Sequence, residues 1–150
     1  MTATLPTLLL DLTNWDLVVD SADNIALATP PYSTAQDVAS AIKTFLAEVF
    51  YDTTQGIAYL GSQPILGGMI PIGIFKAYMV QAALTVPGVV SAQCVINSFI
   101  GRKVVGQVTF TDDRGVVSTL NVASAPAGVS LAWTTDSSVT ADSNVYTASG

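Results

Sequence analysis

The stretch PIGIFKAYMVQAALTVPGVVSAQCVIN, residues 71–97, changes its hydrophobic period at its centre, and that change decides the fold. Before Pro87-Gly88 the apolar residues recur at helical spacing, so that Ile72, Phe75, Met79, Ala82, Ala83 and Val86 gather on one side of a helix. Pro71 suits its first turn, where an N–H would have no partner anyway, and the helix is expected to run to about Thr85. The opposite side carries Ile74, Tyr78, Val80 and Leu84, interrupted chiefly by Lys76 and Gln81. A helix apolar nearly all round needs cover on both sides. After Pro87-Gly88 the period is two: Val90, Ala92, Cys94 and Ile96 point one way, and Ser91, Gln93 and Asn97 the other.

Downstream, Val104, Val108 and Phe110 continue the buried set on a second strand, beyond Arg102-Lys103, which reads as a hairpin turn. Asp112-Asp113-Arg114-Gly115 is a tight turn, and Val116, Leu120 and Val122 face inward on a third strand, which completes a β-meander. That third strand is taken as the open edge. After Ala123 the chain is rich in Ser, Thr, Ala and Asp, with few large side chains besides Leu131, Trp133, Val139, Val145 and Tyr146. It cannot form a core alone and is expected as an arm or a loosely ordered tail.

Upstream, Ser33-Thr34-Ala35-Gln36 fits a capping box with Ser33 as N-cap, and Val38, Ile42, Phe45, Leu46 and Val49 follow at spacings of three and four. This first helix should anchor the core and end at Asp52-Thr53-Thr54-Gln55-Gly56, where Gly56 can turn left-handed. A short extended piece, Ile57 to Leu60, and a Gly/Pro-rich loop come next. Before the helix, Leu8 to Leu12, Leu17 to Asp20 and Ile25 to Ala28 read as short strands. The expected fold class is therefore α+β: two main helices packed on a small antiparallel β-meander, with N-terminal short strands and an extended C-terminal tail. Residues 1–122 form the domain and 123–150 a Ser/Thr/Ala-rich C-terminal arm.

Composition bounds the function. Half of the 150 residues are apolar and only 11% are charged, against roughly 25% in an ordinary soluble domain. A surface so poor in charge is either in a membrane or covered by neighbours. The stretches between Asp52 and Lys76 and between Lys76 and Arg102 carry no charge, but Gly and Pro interrupt both, so neither reads as a spanning helix. No basic region precedes Leu8-Leu9-Leu10, so no secretory signal is expected and the chain reads as soluble. A net charge of −6 with five Lys and Arg argues against nucleic acid. There is no histidine, and Cys94 is the single cysteine, which speaks against a general base of the commonest kind and against a Cys-based metal site. Asp20/Asp23 and Asp112/Asp113 read as solvated turns, and Gly67-Gly68 as a bend without the Lys-Ser/Thr of a phosphate loop. No cofactor is expected.

Several motifs in order carry a resemblance: Asn14-Trp15-Asp16-Leu17-Val18-Val19-Asp20, Asn24-Ile25-Ala26, Ala35-Gln36-Asp37-Val38-Ala39 and Phe50-Tyr51-Asp52-Thr53-Thr54-Gln55-Gly56-Ile57. Over roughly residues 9–122 the chain resembles the baseplate wedge family of contractile-tailed bacteriophages, which has counterparts in type VI secretion systems and phage-tail-like particles. The resemblance implies a structural subunit and not an enzyme, made in the host cytoplasm and placed in the virion tail baseplate. Its implied partners are other baseplate wedge subunits, the tail sheath protein and tail tube or hub proteins, in a symmetric assembly of several copies. The family's Glu-Pro-Arg lock reads Val86-Pro87-Gly88 here, so its ionic role does not carry over, and the family's glycine before Asn-Ile-Ala is Asp23.

The alternative is a tail-borne cell-wall hydrolase, which needs two placed carboxylates. Glu48 is the only glutamate, Asp52 follows it by one helical turn, and Ile57 stands where the lysozyme spacing asks for Asp. Partner contact is expected at Trp15, at Tyr78 and Leu84 on the second helix, at Pro87, and at Val117 and Thr119 on the meander edge, where a neighbour's arm could add a strand. Core packing is the default for Trp15, Tyr32, Phe50 and Tyr51.

Overall fold

The computed structural model describes residues 6–11, 13–59, 71–100, 103–125 and 128–135. In chain order these form β1 (Thr7–Leu8), β2 (Leu27–Ala28), α1 (Tyr32–Lys43), α2 (Ile72–Leu84), β3 (Val89–Ile100), β4 (Lys103–Asp112), β5 (Val117–Ala125) and β6 (Gly128–Thr135). The last four make one antiparallel sheet in the order β3-β4-β5-β6, while β1 and β2 pair separately. This is the α+β arrangement expected, with two helices on one face of a meander. The Gly67-Gly68 bend, Arg102 and residues 136–150 lie outside the described residues.

The alternation of β4 and β5 sets the inner face. Val108, Phe110 and Leu120 are fully buried there, against Val38 and Ile42 from α1 and Met79 and Ala83 from α2. Each large side chain so buried stabilises the fold by roughly 1.5–3 kcal/mol relative to exposure. α2 lies chiefly over β3, and α1 reaches β5 and β6. Upstream, Leu10 bridges Leu17 and Val19 bridges Ile25, and these segments fold around a second small cluster of Leu9, Ala28 and Tyr32.

The first helix departs from expectation at both ends. The capping box does not form: α1 begins at Tyr32, and Ser33 lies inside its first turn with a buried hydroxyl that finds no hydrogen-bond partner among the described residues. The Gln36 carboxamide reaches a different backbone, donating from Nε2 to Leu8 O at 2.7 Å and accepting at Oε1 from Leu10 N at 2.9 Å. A buried amide takes whichever partners satisfy both of its ends, and here they lie on the N-terminal strand. At the other end the helix stops at Lys43. Thr44 turns extended and its hydroxyl bonds back to Ser40 O at 2.8 Å, so Phe45 and Leu46 leave the helical face and are exposed.

The meander differs in three places. A register shift between Val89 and Ser91 turns Val89 onto the core and leaves Val90 66% exposed, so Val90 is not part of the buried set. The Asp112–Gly115 turn forms, with Gly115 left-handed, but Asp112 is buried rather than solvated. Its carboxylate accepts from Arg114 N at 3.0 Å and Val116 N at 2.8 Å and pairs with the Arg114 guanidinium. Finally, β5 runs past residue 122 to Ala125, and the segment expected as a free arm supplies β6 over Gly128–Thr135. A run of small and β-branched residues too poor in apolar bulk for a core of its own can still add to an existing sheet through its backbone.

Candidate interaction surfaces

The sheet order corrects the position of the open edge. β5 pairs with β4 on one side and β6 on the other: Thr119 lies opposite Thr109 and Thr134, and Val117 opposite Thr111. β5 is therefore a central strand and not the open edge, with Thr119 paired on both sides and Val117 at its start paired to β4. Hydrophobic alternation records which face a residue takes but not how many neighbours its strand has, so the error was built into the sequence reading. Among the described residues the outer edge of β3 is the unpaired one on the helix-α2 side of the sheet.

β3 is twelve residues long and contains no Asp, Glu, Lys, Arg, Pro or Gly. Edge strands are ordinarily protected from pairing by charge, by proline, by shortness or by bulges, and β3 lacks the first three. Its register shifts, between Val89 and Ser91 and between Ile96 and Ser98, are its only irregularities. Val90, Val95 and Ile100 stand exposed along it.

The outer face of the sheet continues this uncharged surface. Across β3, β4 and β5 the rows are Val95–Gln107–Asn121, Gln93–Thr109–Thr119 and Ser91–Thr111–Val117. None of these side chains is charged. Gln107 Nε2 donates to Asn121 Oδ1 at 3.2 Å, and the Thr109 and Thr119 hydroxyls share a hydrogen bond of 3.2 Å. Thr119 thus stands on the outer face of a central strand, and Val117 beside it is partly exposed.

The remaining expected contacts divide. Trp15 is half-buried against the core with its backbone left-handed at φ 56°, and Lys43 Nζ lies 3.5 Å from the centroid of its ring. A cation over an indole face is an attraction in its own right, so both partners of Trp15 are internal. Tyr78 packs against the core and is half-buried, whereas Leu84 is exposed with Ile72 and Ile74 on α2. α2 is therefore covered by the sheet and by α1, while its Ile72, Ile74 and Leu84 stay exposed among the described residues. Pro87 is exposed in the turn where Gly88, at φ 89°, offers its carbonyl to Asp113 N at 2.8 Å.

The loop from Thr44 to Tyr59 holds Phe50 and Tyr51, two of the four aromatics for which core packing is the default; Tyr32 is buried as expected. Phe50 is 90% and Tyr51 77% exposed, and their rings meet edge to face at 5.2 Å. Beneath them the loop is tied down. Ile57 N donates to Thr44 O and Leu46 N to Ile57 O, both at 2.9 Å, and Tyr59 OH donates to Ile42 O at 2.6 Å. Gly56 sits at φ 106°, where a Cβ would fall 2.5 Å from the Phe45 carbonyl carbon, so the place admits no side chain. The Glu48 carboxylate accepts from Phe45 N at 2.9 Å, and Asp52 accepts from Thr54 N, Thr54 Oγ1 and Gln55 Nε2. Those bonds hold the Asp52 carboxyl below its ordinary value, the Thr54 hydroxyl first among them. Two neighbouring aromatics followed by a Thr-Thr-Gln-Gly turn were the available signal for this exposed tip.

Among the described residues no group of three or more His, Cys, Asp or Glu could hold a metal ion, and no helix is long and apolar enough to cross a membrane. No family model matches the chain, and no curated protein matches it either.

Proposed function

We propose that this chain is a structural subunit of a contractile-tail baseplate, held in place by a neighbouring chain that adds a strand to the outer edge of β3. The observation that carries the reading is the uncharged, proline-free, twelve-residue edge strand. Such an edge offers a row of N–H and C=O groups to an extended arm; backbone pairing supplies affinity and alternate side chains fix the register. A neighbour seated there would also cover Val90, Val95 and Ile100, and the low charge of the whole chain fits a surface mostly covered in an assembly.

The motif resemblance supplies the kind of assembly: wedge subunits, sheath and tube or hub proteins as partners, several copies, and a place in the virion tail after synthesis in the host cytoplasm. Asp23 supports it locally, since it is left-handed at φ 59° where the family has glycine. The corresponding secretion-system component is the same reading in another particle.

The test is a Val90→Lys/Val95→Lys variant, which places on the edge the charges that natural edge strands use to refuse partners. Both positions are exposed, so the purified variant should melt within a few degrees of the parent. It should be missing from tail particles purified from a producing host. Particles that incorporate the variant normally, or that never contain the parent chain, would sink the proposal.

A further inference from the structure

We infer that Phe50 and Tyr51 form a second, separate contact: a preformed aromatic knob that inserts into an apolar pocket of a partner protein whose rim carries arginine or lysine. The rings act as one body, 5.2 Å apart and edge to face, and between them they leave most of their surface in water. Large aromatics are the residues that most often carry binding energy, and they do so when they arrive already ordered. The loop provides that order through the Thr44–Ile57 and Leu46–Ile57 backbone bonds, the Glu48 and Asp52 caps and the tight turn at Gly56.

The rim chemistry follows from charge. Residues 44–59 contain Glu48 and Asp52 and no lysine or arginine. Hydrogen bonds within the loop keep Asp52 ionised, so the tip presents aromatic rings flanked by negative charge. An anionic lipid or nucleic-acid surface repels such a tip, whereas a pocket edged by guanidinium groups can both pair with the carboxylates and lie over the ring faces. This inference does not depend on strand addition at β3.

The experiment places p-benzoyl-phenylalanine at position 50 of the full chain, expressed together with its native gene neighbours, and maps the photoadducts by mass spectrometry. Adducts should converge on one protein, at apolar residues flanked by arginine or lysine. The Glu48→Gln/Asp52→Asn variant keeps acceptor oxygens for the loop and removes both charges, and it should lose most of the adduct. In the unlabelled chain, Phe50→Ala should weaken binding to the protein so identified on the order of thirtyfold without lowering the melting temperature. The inference is overturned if no adduct forms, if adducts scatter over many proteins, if removing the charges leaves the yield unchanged, or if Phe50-dependent binding appears on neutral phosphatidylcholine vesicles instead. Survival of the adduct in the Val90→Lys/Val95→Lys variant separates this contact from the one at β3.

Discussion

Gln36 serves Leu10 as a strand neighbour would. Its Oε1 accepts from Leu10 N across 26 residues of sequence, and its Nε2 donates to Leu8 O, so a single side chain on α1 pairs the backbone on either side of Leu9, whose own N–H and C=O bond to Ala26 and Val18. Tyr32 adds a third tie, donating from its hydroxyl to Leu10 O at 2.7 Å. Burial pushes that phenol up to about 12, so the donor keeps its proton throughout the neutral range.

Replacing Gln36 by alanine strands the Leu8 carbonyl and the Leu10 amide in a partly buried site. The cost should be about 1–3 kcal/mol, and hydrogen exchange should show where it falls. The Leu10 amide should exchange much faster in Gln36→Ala, while the amides of β4 keep the protection set by global unfolding. Equal loss of protection in both places would show that the N-terminal segment is not a separately held unit.

Thr119→Pro tests the sheet order. At an edge, proline can face its missing donor to water; in a strand paired on both sides it removes a ladder bond and cannot be accommodated. Because β5 lies between β4 and β6, this variant should lose on the order of 2 kcal/mol or more, read by urea unfolding. A stable Thr119→Pro protein would mean that β5 is an edge after all.

Asp37 predicts a pH dependence. Burial on α1 raises its carboxyl above the ordinary 3.8, against a smaller lowering by a hydrogen bond from Thr7. Below the unfolded value both states hold the proton. As the pH climbs through the interval between the unfolded and folded values, the unfolded chain releases its proton first, so this group's contribution to stability is lost upward through the folded value. Asp37→Asn should therefore be more stable than the parent at neutral pH and should flatten the stability curve just above 3.8. Melting curves across the acid range check both statements, and a variant less stable at neutral pH would contradict the sign.

The alternation that marked Val108, Phe110, Leu120 and Val122 as inward-facing was sound because period two is a local property of an extended backbone. It failed at Val90, where a register shift inverts the side, and shifts of that kind are set by the partner strand. Helical spacing gave α2 its extent to within a residue, yet carried α1 past its true end, since the 3.6 period of Phe45, Leu46 and Val49 was met by a turn that Thr44 begins. Phe50 and Tyr51 were assigned to the core on residue type alone, and residue type says nothing of what stands opposite.

What the sequence by itself determined is therefore local. It set the switch from helix to strand at Pro87-Gly88, the turn at Asp112–Gly115, and the absence of charge from Val89 to Ile100. The tertiary structure alone decided that this uncharged strand lies at an edge, that β6 pairs beside β5, and that two aromatic rings stand in water. The physical reason is that backbone period and turn chemistry act between residues a few positions apart, whereas exposure and strand order depend on which distant segments arrive alongside.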